Sequence, residues 1–183
     1  MKALPREHIA RIWLAIASVS TILMLTAYTL VQQLGRLSAD DLPLYLAQTA
    51  VAQLDNGAAP NDVVPTTASD VKSDTIPFVI VTDSSENILA SSAKLNGAKP
   101  LPPIGTFQYT TVHGTDHFTW QPTTSARLAT RILPYKTSTT SGFVVAGHSL
   151  KQVEDRQANF NLITLAAWAV SLIVVFLALW FPL

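Results

Sequence analysis

The chain has 183 residues, a formal net charge of zero, 49% hydrophobic residues and only 13% charged ones. Soluble domains carry about a quarter charged residues, so this composition excludes an ordinary soluble protein, and no basic patch speaks for nucleic acid. The lack of any cysteine excludes disulfides, thiolate zinc sites and a cysteine nucleophile.

Residues 1–11 hold Lys2, Arg6 and Arg11 against Glu7. The apolar run IWLAIASVSTILMLTAYTLV follows over residues 12–31, long enough to cross a bilayer as a helix. Its basic leader places the N-terminus in the cytoplasm. Signal-peptide apolar regions are about 7–15 residues long. This one is longer and no clear A-x-A cleavage site follows before Gln32, so an uncleaved anchor is expected. Ser18, Ser20, Thr21, Thr26 and Thr29, with Ala15, Ala17 and Ala27, either let another helix approach closely or are simply tolerated. Trp13 and Trp180 each fall near a membrane interface, where indoles concentrate.

Residues 32–159 form a different kind of segment, with nine Lys/Arg and eleven Asp/Glu. The spacing predicts a helix over 38–56, with Asp40 or Asp41 as N-cap, Pro43 in the first turn and Gly57 as C-cap. It begins within ten residues of the first span, so the two helices are expected to be mechanically continuous. Residues 58–75 read as a surface connection. Residues 77–82 (PFVIVT) and 88–92 (ILASS) predict a hairpin whose turn Asp83 caps. Residues 94–105 read as a Pro- and Gly-rich loop. Strands are expected at 106–112, 116–121, 126–135 and 142–147, and a polar helix at 148–159 running into the second span. That span, residues 160–183 (FNLITLAAWAVSLIVVFLALWFPL), carries no charge. With two spans, both termini are cytoplasmic and 32–159 lies outside.

The order span, helix, antiparallel strands, helix, span predicts an α+β domain held between two transmembrane helices. Three stretches give it a family likeness: Phe78 to Ser92 (FVIVTDSSENILASS), Leu101-Pro102-Pro103-Ile104-Gly105, and Gly142 to Arg156 (GFVVAGHSLKQVEDR). These resemble, in turn, the first sheet hairpin, the following loop, and the last strand with its pre-membrane helix in PAS-like (PDC-type) extracytoplasmic sensor domains of bacterial sensor histidine kinases and chemoreceptors. The resemblance implies a PAS-like antiparallel sheet with flanking helices, in the inner membrane, perceiving a small ligand or an envelope condition. Such kinases continue past the second span into a phosphoacceptor helix and an ATP-binding domain. This sequence stops at Leu183, so either an input domain without its own output or a trimmed kinase is expected. Signalling would then pass through membrane-helix contacts to a homodimer or a membrane partner. The alternative is an accessory protein that docks a partner without binding a small ligand.

Four residues are candidates for ligand binding. Arg127 and Arg131 share a strand face and suit a carboxylate or phosphate; on a solvated face they are solubilising residues. Phe118 and Trp120 share a face on the neighbouring strand, as core or as a stacking wall. His113, Asp116 and His117 surround a turn, but no third histidine is near, so no metal is expected. No G-x-S-x-G, glycine-rich phosphate loop or H-E-x-x-H occurs. Neither catalytic residues nor a cofactor are expected.

Overall fold

The structure is a computed structural model of the chain and describes residues 6–181. Lys2 of the basic leader and Pro182 and Leu183 of the second apolar run lie outside the described residues. The elements in order are α1 (Arg6–Asp55), β1 (Ser69–Asp70), β2 (Phe78–Asp83), β3 (Ile88–Ser91), β4 (Ala93–Lys94), α2 (Ile104–His113), β5 (Asp116–Thr123), β6 (Ala126–Lys136), β7 (Ser141–Ser149) and α3 (Lys151–Trp180). The chain divides into two units, one made by the residues up to Gly35 and from Asp155, the other spanning Arg36–Glu154.

In the first unit α1 and α3 run antiparallel. The Trp13 indole N–H donates to the Leu172 carbonyl at 3.1 Å, while Gly35 lies beside Gln157. Within this unit the half-buried positions of α1 include Ile9, Trp13, Ala17, Ser20, Met24, Tyr28, Val31 and Gly35, in steps of four, four and three, with Thr21 and Gln32 beside that stripe. Those of α3 are Gln157, Asn161, Thr164, Trp168, Leu172, Val175 and Leu179, in the same rhythm. Four, four and three make an 11-residue repeat at 3.67 residues per turn. That is close to the natural helical period, so each stripe stays turned toward the other helix with little supercoiling. Ala17, Ser20 and Thr21 fall on the packed side. Ser18, Thr26 and Thr29 are exposed and donate back to the carbonyls of Leu14, Ile22 and Thr26. Both α1 and α3 are long and apolar enough to cross a membrane.

The second unit is an α+β domain. Its five-stranded antiparallel sheet has the order β3-β2-β7-β6-β5, and a short parallel pair, β1 with β4, stands apart from it. Strand alternation divides the core into two layers. Val79, Val81, Tyr135, Val144 and Ala146 face one way and pack with Ala47, Ala50 and Leu54 of α1. Phe78, Ile80, Trp120, Leu128, Ile132, Phe143 and Val145 face the other way and pack with Phe107 of α2 and Val71.

Two expectations are corrected here. No helix starts at residue 38. α1 runs through Asp40 and Asp41, which therefore cap nothing, and Pro43 is an interior residue. Between Gln32 and Leu37 there is no breaker stronger than Gly35, whose cost of about 1 kcal/mol cannot end an established helix. The helix does end as expected. Gly57, at φ 89°, lets its own N–H reach Leu54 O and that of Ala58 reach Gln53 O, a Schellman closure.

The second correction is residues 106–112, read as a strand and folded as α2. Their Thr, Val and aromatic content carries strand propensity, but the environment decides. Phe107 and Thr110, one turn apart, are the buried pair against the sheet. Thr106, Thr110 and Thr111 bond their hydroxyls to carbonyls three or four residues back, and Gly114 at φ 77° closes the helix. The 58–75 connection and the 94–105 loop also hold more order than expected. β1 lies in the first, the end of β4 in the second, and a bridge links Leu95 and Ala98.

Candidate functional site

The four residues singled out in the sequence do not share a surface. In the β5–β6 register Phe118 lies opposite Thr130 and Trp120 opposite Leu128, whereas His117 lies opposite Arg131. Paired residues of an antiparallel ladder point to the same side. The aromatics are therefore on the α2 side and the arginines on the α1 side. Trp120 is 7% exposed and meets the Phe78 ring edge-on at 6.2 Å, with Phe118 packed against the same cluster. These two are core side chains.

The arginines have different roles. Arg127 is exposed and forms an ion pair with Glu154 in the first turn of α3, while its carbonyl accepts from the Leu150 N–H at 2.8 Å. Such an exposed pair contributes about 0–1 kcal/mol. Together the two contacts fasten the start of α3 to β6. Arg131 is half-buried. One of its terminal nitrogens donates to Thr115 Oγ1 at 3.4 Å, and its Nε is buried with no hydrogen-bond partner among the described residues.

A neighbour escaped the sequence reading. His148 was expected to open the polar helix, but β7 runs on to Ser149 and places it in the sheet opposite Ala129. The alternation Val144, Ala146, His148, continued two residues past Gly147, is the signal that could have found it. Arg131 is opposite Ala146, so His148 and Arg131 are diagonal neighbours on one face. Burial holds the His148 imidazole below its ordinary value, and the Asp40 carboxylate of α1 opposes that shift. Its Nδ1 is buried without a partner among the described residues. A guanidinium, a half-buried imidazole and a carboxylate thus gather where α1 meets β6 and β7, with His117 exposed at the β5 edge.

Other features are structural. Ring stacking at 3.9 Å and a 3.0 Å contact with a carbonyl tie His113 to Tyr109, and no group of three metal-ligating side chains occurs among the described residues. Two stretches have the S-x-x-K spacing, which the sequence reading overlooked: Ser69 to Lys72, where Ser69 Oγ donates to the Ile76 carbonyl, and Ser91 to Lys94. The second crosses from β3 to β4, where Ser91 Oγ bonds both the carbonyl and the N–H of Ala93.

In the first unit, Arg6 sits over the Trp180 ring at 5.3 Å. Trp180 stacks on Phe176 at 5.6 Å, and Phe176 meets Trp13 edge-on at 6.0 Å. A cation–π contact and two aromatic pairs, each worth roughly 0.5–1.5 kcal/mol, join the start of α1 to the end of α3. No family model and no curated protein matches the chain.

Proposed function

We propose that this is a two-span protein of the bacterial inner membrane that displays a PAS-like sensor domain outside the cytoplasm. It perceives a small ligand or an envelope condition there and signals through contacts of its membrane helices, with a second copy or a membrane partner. The observation that carries the reading is the way the sheet domain is joined to two apolar helices. α1 is one uninterrupted helix from Arg6 to the core residue Leu54, and only Leu150 separates the end of the central strand β7 from the start of α3. Each helix is thus covalently continuous with the sheet domain. Support for the PAS-like reading is local. Two of the stretches that carry the resemblance fold as a hairpin and as a last strand leading into a helix, while the third is a loop only over Leu101 to Pro103 and then enters α2.

The cysteine-free chain makes orientation directly testable. Ser84 is exposed in the β2–β3 turn. Ser84→Cys should react with a membrane-impermeant maleimide in cells whose outer barrier alone is permeabilised. Labelling only after the inner membrane is broken would overturn the orientation. For ligand perception, a small-molecule screen by thermal shift on the full chain in nanodiscs should raise the melting temperature with at least one class of compound. A flat response across metabolites would count against a sensor and leave a docking module.

A further inference from the structure

The α1-facing side of the sheet holds two polar atoms that nothing among the described residues satisfies, Arg131 Nε and His148 Nδ1. They belong to adjoining strands, and the register makes their residues diagonal neighbours, roughly 7–8 Å apart at the backbone and within reach of long side chains. Ala129 and Ala146 occupy the other two corners of the same patch, so its floor is short and apolar. Arg131 Nε–H is only ever a donor. A buried guanidinium N–H without an acceptor costs more than one that has found it, because that group has lost water and gained no bond in exchange. Arg127 on the same strand has Glu154; Arg131 has only a long contact to a threonine hydroxyl.

We infer that Arg131 and His148 form a binding site for a small free monocarboxylate, held by the guanidinium fork and by the imidazole N–H. The site supplies a ligand class to the sensor domain proposed above and rests on that reading. A carboxylate matches the planar, two-donor edge of a guanidinium. The charges facing the patch favour one negative charge over two. Asp40 approaches from α1, Arg131 and the already paired Arg127 lie on β6, and His117 is on β5. A dianion would meet the Asp40 carboxylate with Arg131 as the one unpaired cation among these described residues. Protonating His148 adds the second cation, so carboxylate and proton bind together.

The test uses the full chain in nanodiscs, with acetate as the probe and the Arg131 Nε–H and His148 ring signals followed by NMR. Acetate should shift both signals saturably, with affinity about tenfold tighter near pH 5 than near pH 8, as proton linkage requires. Arg131→Gln should weaken binding at least about tenfold, the loss of a charge-assisted hydrogen bond. His148→Gln should leave weak binding that no longer depends on pH. No saturable shift in the unmodified protein, or the same shift from sodium chloride at equal ionic strength, would overturn the site. Tighter binding of inorganic phosphate than of acetate would overturn the carboxylate assignment.

A fluorescent probe on Ser171→Cys in α3 separates the site from the sensor reading. Acetate binding with no response in α3 keeps the site and sinks signalling. A response in α3 to some other ligand, without acetate binding, does the reverse.

Discussion

Asp83 shows how much one side chain in a turn can organise. Its Oδ1 accepts from the N–H groups of Ser85 and Asn87, both at 2.8 Å, and its Oδ2 accepts from the Asn87 amide at 2.9 Å. The Asn87 side chain first, and the Asn87 backbone N–H next, hold the carboxyl below its ordinary value. A carboxylate depressed in the fold stabilises above its unfolded value and loses that contribution as pH falls through its folded one. Asp83→Asn should therefore lower the melting temperature by a few degrees at neutral pH. The difference should shrink once pH drops below about 3.9, the usual aspartate value. A difference that grows in acid would contradict this.

Gly142 acts through what it lacks. It faces Asp83 across β2 and β7, and a Cβ there would overlap the Thr82 carbonyl and come within 2.9 Å of the Asp83 backbone. Gly142→Ala should cost about 1–3 kcal/mol or more, because backbone cannot move aside as a side chain can. Denaturant melts of the full chain would measure it.

At the scale of elements, α2 is where tertiary packing overrides local preference. Phe107 is 1% exposed and meets Phe143 of β7 edge-on at 5.4 Å. Removing the ring empties the space between α2 and the sheet. Phe107→Ala should cost about 3–5 kcal/mol, read as a lower denaturation midpoint with an unchanged slope. A segment whose helicity came from its own residues would lose far less. The strands were legible because β2, β6 and β7 carry β-branched runs or alternation over many residues. α2 was not, because its buried residues, Phe107 and Thr110, fit a strand as well as a helix until the sheet is there to receive them. His148 was missed for a related reason. Gly147 interrupts the alternation before it, and the close approach of Phe78, 2.6 Å from where a Gly147 Cβ would be, is visible only when β2 is in place.

At the scale of the whole molecule, the proposed orientation rests on the basic residues before the first apolar run, of which Arg6 and Arg11 are described. The positive-inside bias acts on residues close to a span. Replacing both with Glu should turn a substantial fraction of molecules over, so that Ser84→Cys loses its labelling from outside. Unchanged labelling would show that folding of the sheet domain, rather than charge, sets the topology. Arg6 also sits over Trp180, so Arg6→Ala alone separates the two effects. Losing the cation–π contact should loosen the helix pair without inverting it.

Composition and periodicity by themselves determined the two apolar helices, the α+β class, most strands, the Gly57 helix end and the Asp83 turn. Each of these follows from short-range chemistry: length against a bilayer, alternation against a core, a positive φ, or an oxygen two to four residues from its donors. Only the tertiary structure decided that α1 is one helix, that residues 106–112 are helical, and that Phe118 and Trp120 lie across the sheet from Arg127 and Arg131. Strand register sorts side chains to one face or the other, and register is set by pairing with distant strands. The same pairing brings Arg131 and His148 together from 17 residues apart in the chain.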